Sequence, residues 1–213
     1  MMIAPPPKSV LDVPGFNNLK HLTNLSKFVS TIPTNSKVLE IGCAWGGSTW
    51  AILDGLPEGS KLYTCDTFQM NSPVLKNRHY QGVMAKHSHN PSVVYAMQLY
   101  MKNDQKAVFD YCLSYHPRFF DFHKAVYVEK SLKVLENDNK WDLVYLDGDH
   151  SYSTVRSELE YIKDVKYICG DDYHPAHPGV IKAVDEFLLE NDFQFQHDEF
   201  ESGSGFWSMI KND

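Results

Sequence analysis

The chain has 213 residues, 43% of them hydrophobic, and a formal net charge of −7. That length fits a single domain over 1–213, and the acidic balance argues against a nucleic-acid partner, because phosphates reward clustered Lys and Arg and none cluster here. No stretch nears the ~20 apolar residues of a membrane span, and the three prolines before Lys8, with no apolar core behind them, exclude a secretory signal from the reading.

Over 15–32, apolar residues at Leu19, Leu22, Leu25, Phe28 and Val29 follow helical spacing, which predicts an N-terminal helical segment within 1–34. Pro33 ends it, and 37–41 (KVLEI) reads as a buried strand. A glycine turn over 42–47 leads into a helix beginning at 48–53. Further strands are predicted at 61–65 (KLYTC), 125–128 (AVYV) and 142–146 (DLVYL). A helix over 153–165 enters a strand at 166–169, and a helix over 180–190 follows. The chain then closes with 193–200 and 205–210, joined by the turn-rich Glu201-Ser202-Gly203-Ser204, which predicts a hairpin.

Short apolar strands alternating with helices indicate an α/β fold, a Rossmann-like doubly wound sheet, mostly parallel with a C-terminal antiparallel hairpin. The stretch 69–124 is too long for an ordinary connection. Tyr95 to Tyr115, with Met97, Met101, Phe109 and Tyr111, reads equally as a helical cap over a ligand crevice or as helices that enlarge the core. The four cysteines, Cys43, Cys65, Cys112 and Cys169, form no CxxC pair. Free buried thiols and a reducing, cytoplasmic setting are therefore expected.

The run Glu40-Ile41-Gly42-Cys43-Ala44-Trp45-Gly46-Gly47-Ser48 is a strand, a glycine turn and a helix start. Glycines tolerate positive φ and let a ligand approach the backbone, and the helix start offers free N–H donors. The pattern is not the G-x-G-x-x-G of dinucleotide sites. The next strand ends in Asp66, then Thr67, where an open α/β sheet offers a carboxylate to ribose hydroxyls. Taken alone, the turn could be purely structural and Asp66 a helix cap.

E-I-G-x-x-x-G-x-S followed by a strand ending in Asp resembles the class I S-adenosylmethionine-dependent methyltransferases. The likeness is strongest to the metal-dependent small-molecule O-methyltransferases of the catechol and macrolide-sugar types, and it covers about 36–68 and 125–213. The resemblance implies that Gly42 to Ser48, among them Ala44, Trp45 and Gly46, cradle the methionine end of S-adenosylmethionine, and that Glu40 is also a cofactor-binding residue. It places Asp66 at the ribose and Glu129, Lys130 and Ser131 near the adenine, with Thr67 and Asp147 also at the cofactor.

Two strand ends carry acids: Asp147-Gly148-Asp149-His150, and one strand later Asp171-Asp172-Tyr173-His174. In a parallel sheet these emerge at one edge. Converging carboxylates repel unless a hard cation neutralises them, and oxygen ligands suit magnesium, calcium or manganese. The resemblance implies a divalent metal, magnesium first, on Asp147, Asp171 and Asp172. It also gives the position three past Asp147 to the base, a lysine in catechol-type enzymes and a histidine in the sugar-type ones. Here it is His150, with Asp147 the other catalytic residue. A near-neutral imidazole suits removal of a hydroxyl proton.

The expected activity is methyl transfer from S-adenosylmethionine to a hydroxyl of a small-molecule acceptor, with homo-oligomerisation left open. Two alternatives remain: a metal-dependent sugar-nucleotide transferase that uses the D-x-D, or a non-catalytic relative that retains only cofactor binding.

Overall fold

In the strand Lys37–Ile41 (β1), Val38 faces one side of the sheet and Leu39 and Ile41 the other, and all three are buried. Both faces must therefore be covered, the condition of a doubly wound sheet. The computed structural model describes residues 5–15, 17–69, 72–102, 104–138, 140–198 and 203–213.

The remaining strands are β2 (Lys61–Cys65), β3 (His123–Tyr127), β4 (Leu143–Leu146), β5 (Tyr167–Gly170), β6 (Phe193–His197) and β7 (Trp207–Lys211). The seven lie in the order β3-β2-β1-β4-β5-β7-β6. The first five pair in parallel, and β7 runs antiparallel to both β5 and β6. The doubly wound sheet with its closing hairpin is therefore present. Glu199, Phe200, Glu201 and Ser202, part of the predicted hairpin, lie outside the described residues.

One face is covered by α1 (Leu19–Val29), α2 (Gly47–Gly55), α3 (Pro73–His87), α4 (Pro91–Lys102) and α5 (Gln105–Leu113). The other carries α7 (Ser131–Asn137), α8 (Tyr152–Tyr161) and α9 (Pro178–Glu190); a single turn, α6 (Phe119–Phe122), precedes β3. Met97, Tyr100, Phe109 and Leu113 of the long insertion join Trp45, Trp50 and Phe68 in one apolar core. Its helices thus enlarge the core, while Gln69, His79 and Gln105 from the same stretch border the crevice described next. All four cysteines are buried free thiols. Among the described residues no helix is long and apolar enough to cross a membrane.

Candidate active site

Between β1 and β4 the strand order reverses direction, and ligands of open α/β sheets bind beyond the strand C-termini at such a point. A crevice of about 870 Å³ opens there. Ala44, Phe68 and Asp172, three of the four described non-glycine residues with positive φ, lie at this edge. Backbone strain of that kind persists where surrounding structure holds it.

The glycine turn divides into two roles. Gly42 has φ 88°, and a Cβ there would lie 1.9 Å from the carbonyl oxygen of Asp147, so only glycine lets the β1 and β4 ends approach this closely. Gly46, at φ 94°, does not line the crevice; a Cβ would instead meet Leu113 Cδ2 at 2.0 Å. It therefore seats α5 against the turn. Ala44, Trp45 and Ser48 do line the crevice.

Glu40 also differs from its expected role as a cofactor-binding residue, since it does not line the crevice. It is fully buried and accepts 2.6 Å hydrogen bonds from the hydroxyls of Ser48 and Thr49, which tie β1 to the first turn of α2. Burial pushes its carboxyl up to about 7, against those two hydrogen bonds.

Asp66 accepts hydrogen bonds from the backbone N–H of Ala44 at 2.8 Å and of Phe68 at 2.6 Å, the two strained residues on either side of it. Each carboxylate oxygen keeps a further lone pair for a ligand. Burial raises its pKa. Thr67, Glu129, Lys130 and Ser131 border the same crevice, with Ser131 opening α7.

The acids converge as the strand ends require. Asp147, Asp171 and Asp172 each offer a carboxylate oxygen within 4.8 Å of the others. Burial, then the charges of Asp171 and Asp172, hold the Asp147 carboxyl well above the usual range. His150 Nδ1 lies 2.9 Å from Asp172 Oδ2, and that hydrogen bond raises the imidazole's pKa. Burial works against the Asp172 carboxylate, but His150 and the other neighbouring histidines hold it below its ordinary value. Asp149 also borders the crevice but is tied into its own loop: its carboxylate accepts from the backbone N–H of Ser151, the residue that itself caps α8.

Three side chains that touch the acids were not singled out in the sequence. Asn17 Nδ2 donates to Asp171 Oδ2 at 2.6 Å and reaches Asp147 Oδ2 at 3.5 Å. The fully buried His21 of α1 places Nδ1 3.2 Å from Asp171 Oδ1 and Nε2 2.9 Å from the Tyr145 hydroxyl. Tyr145 donates to Asp147 Oδ2 at 3.0 Å. Tyr145 precedes Asp147 by two, the interval that puts strand residues on one face, and this was the one legible clue. Asn17 and His21 are brought in only by the packing of α1.

A family model described as a methyltransferase domain matches residues 39–167, more than half of the chain. No curated protein matches in sequence. Among solved structures, a structural-genomics protein from Corynebacterium glutamicum superposes with a TM-score of 0.57 at 13% identity, covering 94% of this chain and 84% of that one. A Klebsiella pneumoniae protein titled a putative O-methyltransferase gives a TM-score of 0.52 at 14% identity, covering 97% and 92%. A precorrin-6y C5,15-methyltransferase from Geobacter metallireducens gives 0.53 at 10% identity, covering 97% and 94%. At such identities these likenesses speak for the fold alone. With the family match running from β1 to the start of β5 and the crevice at the strand reversal, the chain belongs to the methyltransferase-domain family, the class I S-adenosylmethionine-dependent methyltransferases.

Proposed function

We propose that the protein transfers the methyl group of S-adenosylmethionine to a hydroxyl of a small-molecule acceptor, with a divalent cation, magnesium first, on Asp147, Asp171 and Asp172. One observation carries this reading: Gly42 to Trp45, Gly47 and Ser48 of the turn, Asp66, Glu129 to Ser131, the acid trio and His150 all border a single crevice. Donor and acceptor could thus be held side by side, which makes positioning the main source of rate.

The donor set fits the cation. Three carboxylate oxygens within 4.8 Å are the hard oxygen ligands magnesium prefers, and burial, then the charges of Asp171 and Asp172, raise the Asp147 carboxyl. When bound, such a cation would lower the acceptor hydroxyl's pKa and fix its orientation. The chain's own residues do the rest. His150 has Nδ1 engaged by Asp172, which leaves Nε2 to take the hydroxyl proton, and the carboxylate steadies the imidazolium that forms. Asp66 and the turn would hold the donor in the crevice that the acid trio also borders. Acceptors with vicinal hydroxyls, such as sugars or catechols, suit this arrangement best.

The test is calorimetric titration of S-adenosylhomocysteine with and without magnesium, followed by turnover on vicinal diols and catechols. The expected result is micromolar binding and magnesium-stimulated methylation that Asp171→Ala/Asp172→Ala abolishes while cofactor affinity is spared. Absence of binding would overturn the cofactor assignment, and undiminished turnover in the double variant would overturn the metal role.

A further inference from the structure

Asp172 belongs to a second grouping as well as to the acid trio. His150 Nδ1 lies 2.9 Å from its Oδ2, His177 Nε2 lies 3.4 Å from its Oδ1, and the ligand atoms of all three residues fall within 4.8 Å. The two imidazole rings face one another at 5.0 Å with a 60° tilt. All three side chains are open to the crevice, at 38%, 25% and 36% exposure for His150, Asp172 and His177.

The backbone builds this arrangement from two loops. Asp172 sits in the left-handed region at φ 63°, which turns its carboxylate away from the strand direction of β5. His177 is the residue before α9, its N–H bonded to the His174 carbonyl at 2.8 Å and Pro178 opening the helix after it. His150 comes from the loop after β4.

The chemistry of this trio differs from that of the acid cluster. Three carboxylates suit a hard cation, whereas two imidazoles and one carboxylate suit zinc and its neighbours. In a tetrahedral zinc site, ligands at about 2.0–2.1 Å from the ion are separated from each other by about 3.3 Å. Each imidazole nitrogen lies near that spacing from one of the two Asp172 carboxylate oxygens, His150 Nδ1 2.9 Å from Oδ2 and His177 Nε2 3.4 Å from Oδ1.

We propose that His150, Asp172 and His177 form a second cation site, selective for zinc-like ions, and that filling it switches methyl transfer off. The switching half rests on the function proposed above; the binding half does not. On binding, the proton that His150 Nδ1 shares with Asp172 leaves for solvent or moves to Nε2, and the Nδ1 lone pair goes to the metal. Neutral imidazole has one lone-pair nitrogen, so Nε2 then carries a hydrogen and has nothing with which to take the acceptor's proton. Asp172 is drawn from the acid trio at the same time.

The test is calorimetric titration of zinc into the full chain in excess magnesium, with cobalt(II) as a visible-absorption probe of nitrogen ligation. Wild type is expected to bind one zinc, with intense cobalt bands of a low-coordinate site, and His177→Ala to weaken zinc by at least about tenfold with magnesium affinity unchanged. His177→Gln, which keeps the helix start polar, should behave alike, and thermal melting shows that both variants fold. Asp171→Ala should retain zinc, because Asp171 is outside this trio. Zinc affinity equal in wild type and both His177 variants, or lost in Asp171→Ala instead, overturns the site. In turnover assays zinc should inhibit wild type at concentrations that leave His177→Gln active. Should no methyl transfer be found, the cobalt spectrum still decides the site independently.

Discussion

The hydroxyl of Tyr145, in the middle of β4, stands 2.9 Å from Nε2 of His21 on α1 and donates at 3.0 Å to Oδ2 of Asp147. Through it the N-terminal helix, which precedes the family-matched region, reaches the acid cluster at the crevice. The same histidine touches Asp171 through its other nitrogen. Two of the three clustered carboxylates are thus oriented by a wire of buried polar groups, an arrangement by which outer partners would tune the metal site proposed above.

Tyr145→Phe should break that wire without opening a cavity. Asp147 and His21 each lose a buried partner, a cost of about 1–3 kcal/mol. Manganese affinity, followed by electron paramagnetic resonance, should fall about 10–100-fold, while S-adenosylhomocysteine affinity stays within about twofold. Unchanged manganese binding would mean that Tyr145 only fills space.

Gly42→Ala places a methyl 1.9 Å from the Asp147 carbonyl oxygen at a φ of 88°. Neither atom is the end of a flexible side chain, so β1 and β4 must separate. Strain and overpacking together should cost about 2–5 kcal/mol, read as a lower urea midpoint, and S-adenosylhomocysteine binding should be lost. A variant of wild-type stability and affinity would contradict the close approach.

Gly46 permits a sharper experiment, because its obstacle is a side chain. Gly46→Ala carries left-handed strain of about 1–2 kcal/mol and a clash with Leu113 Cδ2 at 2.0 Å. Leu113→Ala alone creates a cavity costing about 2–5 kcal/mol. The double variant should be more stable than the sum of the two losses implies, by about 1–3 kcal/mol, since each change relieves the other. Additive losses would show that the turn does not pack against α5.

The strands nearest the site were legible because they are buried on both faces. β1 and β2 have the bounds their apolar runs predict, 37–41 and 61–65. β3 begins at His123, two residues before its apolar run; it lies at the edge of the sheet, where half-exposed residues need no hydrophobic pattern. The seven-residue α7 is too short for helical periodicity to register. The strand-end acids were readable from order alone, since a parallel sheet brings them together. His177 and Asn17 were not, because a loop turn and a helix docking place them. The same limit applies to Glu40, whose partners eight and nine residues on are visible only once α2 folds back over β1.

Glu40 should make stability depend on pH in a direction opposite to most carboxylates. In the folded chain its proton is held up to about pH 7, whereas its ordinary value is 4.5. Between those values unfolding releases a proton, so stability falls as pH rises, by on the order of 3 kcal/mol across the window. Below the lower value the effect vanishes, and above the upper one the loss is complete. Glu158, likewise raised by burial to about 7, adds a slope of the same sign. Glu40→Gln keeps the shape, can still accept a hydroxyl hydrogen bond and cannot ionise. Urea unfolding at pH 5 and pH 8 should show a flatter dependence in the variant, with the gain at pH 8. An identical slope would mean that Glu40 is ionised in the fold, held by Ser48 and Thr49. Because Glu40 does not line the crevice, the variant should bind S-adenosylhomocysteine within about threefold of wild type. A tenfold loss there would return Glu40 to the cofactor's direct contacts and make its bracing of α2 secondary.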